Sequence, residues 1–80
     1  MATIMCKKDG LWKKRLEEQL KANPMEHVTL LALGDVKMGV LEYLDKRQDL
    51  HIIKMETRYM KDRKKGLGLK IQVIKAFQNK

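Results

Sequence analysis

Seven residues, "HVTLLAL" (His27 to Leu33), constrain the fold more than any other part of the chain. The run is too short for a helix and too uniformly apolar for a strand with one face in water, so it reads as a central strand covered on both faces. A central strand needs a neighbour on each side, and the rest of an 80-residue chain must supply them together with a covering layer. Gly34 and Asp35 stop the run.

The flanking segments alternate between strand and helix signals. "ATIMCKK" predicts a strand at about residues 2 to 7. In "DGLWKKRLEEQLKAN", Trp12, Leu16 and Leu20 recur four apart on one stripe; Asp9 is placed to cap this helix and Asn23-Pro24 to end it. Asp35 is the expected N-cap of "VKMGVLEYLDKRQ", where Val36, Val40 and Leu44 form the inner stripe and Leu41 and Tyr43 widen it. Gly39 costs that helix about 1 kcal/mol relative to Ala, which suggests close approach of another element.

The last third reads as a hairpin. Pairing residues whose numbers sum to 128 sets Met55 opposite Val73, Thr57 opposite Ile71 and Tyr59 opposite Leu69 on a packing face. Arg58 then opposes Lys70, and Glu56 opposes Gln72, on a polar face, with Asp62 to Gly66 at the tip. The whole chain, residues 1–80, is one α+β domain in the order β-α-β-α-β-β. The expected architecture is a two-layer sandwich: a four-stranded mixed sheet, two helices on one face joined by right-handed crossovers, and a long C-terminal hairpin.

Charge is gathered at the two ends of the chain. Residues 1 to 23 carry six basic and three acidic groups, residues 24 to 53 carry three and five, and residues 54 to 80 carry nine and two. The net charge of +8 suits attraction to nucleic acid or another anionic surface. No apolar run approaches the ~20 residues of a membrane span, and "MATIMCKKDG" lacks the pattern of a signal peptide. With Cys6 as the single cysteine, no internal disulfide is possible, in keeping with a cytoplasmic or nucleoid-associated protein. A domain this small gains from association with a second copy, so a homodimer is expected.

Three stretches together resemble the Alba family of small dimeric nucleic-acid-binding proteins: "TIMCKKDGLW", "VTLLALGDVKMGVLEYL" and "IIKMETRYMKDRKKGLGLKIQVIKAF". The same element order is also similar to the C-terminal domain of translation initiation factor 3 and to stage V sporulation protein S. The resemblance to Alba implies that Lys7 and Lys8 touch the nucleic acid backbone. It also implies that Arg58, Lys61, Arg63, Lys64 and Lys65 lie on an arm that reaches along a groove. One departure stands out: where the family often carries arginine around the loop glycine, "LALGDVK" supplies Asp35 and, as its only base, Lys37.

These observations point to a binding protein for RNA or DNA that neutralises phosphates through Lys7, Lys8, Lys37, Arg58, Lys61, Arg63, Lys64, Lys65 and Lys70. A lysine-rich arm with one aromatic, Tyr59, predicts weak sequence specificity. Gly66 and Gly68 precede a strand, so "GLGLK" is a turn and not a nucleotide-binding loop. No nucleophile has a recognisable base beside it, and His27, His51 and Cys6 lack ligand spacing, so neither catalysis, a metal nor another cofactor is expected. A protein-binding role stays open beside this one: a phage- or plasmid-type inhibitor of a host protein such as a nuclease, acting with or without RNA.

Overall fold

The computed structural model describes residues 2–59 and 67–76. Six elements follow in the expected order: β1 (Ala2–Cys6), α1 (Leu11–Ala22), β2 (Val28–Leu33), α2 (Val36–Asp45), β3 (Leu50–Tyr59) and β4 (Leu67–Lys75). The strands form one mixed sheet in the order β1-β2-β4-β3, with β1 parallel to β2 and β4 antiparallel to both β2 and β3. Both strand-helix-strand crossovers step the same way along the sheet. Crossovers of one hand therefore put both helices on one face.

The core follows from the strand register. Ile4, Cys6, Val28, Leu30, Ala32, Ile71 and Val73 share a face and are all buried. Trp12, Leu16 and Leu20 of α1 and Val40 and Leu44 of α2 close over them as one cluster. Covering Leu16, Leu30 and Ile71 fully stabilises the fold by about 1.5–3 kcal/mol each before entropy is counted. On the opposite face, among the described residues, no helix sits over β2: Thr29 is screened by its neighbours, while Leu31 and Leu33 are only half-buried. This corrects the expectation that both faces of the run are covered.

Two caps differ in detail from expectation. Gly10 occupies the N-cap of α1 with φ +77°, and Asp9 acts from one residue earlier, accepting the Leu11 N–H at 3.0 Å. Asp35 does hold the N-cap position of α2, yet its side chain makes no cap hydrogen bond. Gly39 is exposed, and a Cβ there would meet nothing within 4 Å, so among the described residues no other element packs against it.

The hairpin register is two residues away from the sequence reading. Met55 pairs with Ile71, Thr57 with Leu69, Arg58 with Gly68 and Tyr59 with Leu67, a sum of 126, and a bulge at Ile53 shifts the pairing to 125 nearer the start of β3. Face assignments survive because the shift is even. What changes is the neighbour of each residue: Glu56, not Arg58, lies opposite Lys70. The packing face also runs past the helices, leaving Met55 46% exposed and Thr57 open to solvent.

Candidate nucleic-acid interface

The topology gathers one end of each strand together. Because β1, β2 and β3 run in the same direction, their C-terminal ends meet the N-terminal end of β4, and a single cross-strand row runs Leu33, Gly68, Arg58. Continuing the β1 register by one residue puts Lys7 at the head of that row. Three inter-strand steps of about 4.8 Å therefore separate the backbones of Lys7 and Arg58, roughly 14 Å. The N-terminal turns of both helices open onto the same end.

Lys7 and Lys8 are exposed on the turn between β1 and α1, where Gly10 N–H bonds back to the Lys7 carbonyl at 3.2 Å. They border two adjoining grooves. The larger, about 520 Å³, is lined by Met5, Cys6, Leu33, Gly34, Asp35 and Val36 as well as the two lysines. The smaller, about 310 Å³, runs from the lysines past Gly10, Trp12 and Lys13 to Asp35, Val36 and Gly39. Among the described residues no carboxylate pairs with Lys7 or Lys8. Lys37 stands in the first turn of α2, half-buried, its N–H bonded to the Gly34 carbonyl at 3.2 Å.

Lys70 is differently placed. Its ammonium lies 3.8 Å from Glu56 Oε1, and Lys54 approaches the other oxygen of that carboxylate at 3.7 Å. One acid thus approaches two lysines, and where the sum-128 register set Glu56 opposite Gln72, the observed register sets it opposite Lys70. Arg58 sits in the ladder opposite Gly68. Lys61, Arg63, Lys64 and Lys65 lie outside the described residues.

Sequence reasoning missed Lys13 and the helix-helix network beside it. The Lys13 ammonium stands 5.7 Å from the Trp12 ring centre and 5.5 Å from that of Tyr43, and the two rings meet edge to face at 5.1 Å. Tyr43 donates to Glu17 Oε2 at 2.7 Å, and Arg47 donates to Glu17, to the Tyr43 oxygen at 2.6 Å and to both oxygens of Asp49. Tyr43 holds the Glu17 carboxyl below its usual range, and Arg47 does the same for Asp49. The one signal in the sequence that could have pointed to this is the four-residue spacing of Tyr43 and Arg47.

Cys6 forms the floor of the larger groove and is buried; desolvation pushes its thiol up to about 11, which makes it a poor nucleophile. Among the described residues no three His, Cys, Asp or Glu side chains are grouped to hold a metal, and no helix is long and apolar enough to cross a membrane. Comparison with protein-family models, with curated proteins and with solved structures finds no match to this chain.

Proposed function

We propose that this is an Alba-like, homodimeric nucleic-acid-binding protein of weak sequence specificity, which grips phosphates at the end of the sheet where Lys7, Lys8 and the base of the β3–β4 arm converge. The observation that carries the reading is the contrast in how the bases are used. Among the described residues Arg47, Lys54 and Lys70 are matched by carboxylates, whereas Lys7 and Lys8 stand without one beside an open groove. Exposed ammonium groups without a partner neutralise phosphates at the lowest desolvation cost.

The second copy is assigned to the opposite flank. There α2 and β3 leave a groove of about 380 Å³ lined by Leu41, Glu42, Asp45, Ile52 and Met55. Glu42 and Asp45 would repel a polyanion, and they suit another copy of a chain that carries +8. Ile52 and Met55 supply apolar surface, and β3 is an edge strand.

A gel shift across 50 to 200 mM salt tests the proposal. The parent should lose on the order of a thousandfold in affinity over that range if a dimer uses roughly six to ten phosphate contacts. Replacing Lys7 and Lys8 with Ala, or Arg63, Lys64 and Lys65 with Ser, should weaken binding to every sequence by a similar factor, flatten the salt slope and leave the melting temperature in place. Unchanged affinity and slope in both variants would overturn the reading.

A further inference from the structure

We infer that Asp35 makes this groove selective for RNA, its carboxylate accepting a hydrogen bond from a ribose 2′-hydroxyl while Lys7 and Lys8 hold the adjoining phosphate. The inference rests on the nucleic-acid reading above and names the substrate class of the same site. Its starting point is a residue the fold does not use. Asp35 is exposed at the head of α2 and makes no cap bond to the helix; among the described residues no hydrogen bond or ion pair occupies its carboxylate. The sharp turn before α2 belongs to Gly34, at φ +58°.

On a surface meant only for phosphates, a carboxylate between two lysine-lined grooves is a defect, because it repels what the lysines attract. Asp35 lines both. An ionised carboxylate can only accept, so what complements it is a donor. The DNA backbone offers acceptors alone. RNA adds one hydroxyl donor per nucleotide, next to the phosphate, and that hydroxyl is the group by which a protein tells the two apart. Two ammonium donors beside one carboxylate acceptor match that alternation. The larger groove adds apolar walls from Met5, Leu33 and Val36, and its size falls within the range of small-ligand sites, so one nucleotide can enter it.

The test is fluorescence anisotropy on one single-stranded sequence made as RNA, as DNA and as 2′-O-methyl RNA, at 50 and 200 mM salt. The proteins compared are the parent, Asp35→Ala and Asp35→Asn. The parent should bind RNA about tenfold more tightly than either of the others, as expected for a hydrogen bond to a charged acceptor. Asp35→Ala should bring the RNA-to-DNA ratio close to one and tighten DNA binding, since a repelling charge is gone. Asp35→Asn keeps an acceptor oxygen and should retain part of the preference. A ratio that Asp35→Ala leaves unchanged would overturn the inference, and so would parent binding to 2′-O-methyl RNA as tight as its binding to RNA. In either case salt-dependent binding would still stand, whereas its loss for all three ligands would remove the nucleic-acid reading as well.

Discussion

Tyr43 was readable from sequence only as a residue that widens an apolar stripe; its hydroxyl turns out to organise the contact between the two helices. Glu17 and Asp49 are both held below their ordinary range, by Tyr43 first and by Arg47 respectively. A depressed folded-state value means that the stabilisation is present above the unfolded carboxylate range, near pH 4, and is lost as pH falls through the folded values. Melting temperature should therefore fall below about pH 4, and Glu17→Gln should flatten that acid limb. Both carboxylates are more than one-third exposed, so the effect is screened and modest. Parallel pH profiles for parent and variant between pH 6 and 2 would show that the network is decorative. Gly39 teaches the opposite lesson at the same scale. A glycine in a helix interior suggested a close neighbour, yet among the described residues nothing lies within 4 Å of where its Cβ would be, because propensity registers only that a residue is costly and not what the cost serves.

Elements were legible where periodicity is strong. The stripe Trp12, Leu16, Leu20 and the pair Val40, Leu44 are the buried positions of the two helices, and the six elements appear in the expected order. What periodicity could not supply is absolute register. A strand pattern repeats every two residues, so hydrophobicity fixes which side chains share a face and is blind to a shift of two. The bulge at Ile53 and the pairing of β4 with β2 settle the alignment, and neither leaves a mark in the local pattern. This matters for the candidate interface, since the true register brings Glu56 to Lys70. If the polar face of the arm meets phosphate, Glu56→Gln should tighten binding several-fold and steepen the log-log salt slope by up to about one. A gel shift that shows no change would place Lys70 outside the contact.

For the whole molecule, the decisive quantity is the number of copies that act together. Sedimentation at micromolar concentration should give about twice the 9.4 kDa chain mass. The double variant Ile52→Ser, Met55→Ser should sediment as a monomer with an unchanged circular-dichroism spectrum, because both side chains are already close to half exposed within one chain and contribute little to its own core. A dimer that survives the double substitution would move the interface elsewhere. The strand that carries these residues is at the sheet edge, where a regular row of unpaired amides and carbonyls could in principle template copy after copy into a filament. The extra residue at Ile53 interrupts that row and bends the strand away from flatness. The interruption works against growth by backbone pairing along β3, and in the proposed dimer side-chain contact about a two-fold axis would close on itself and stop at two.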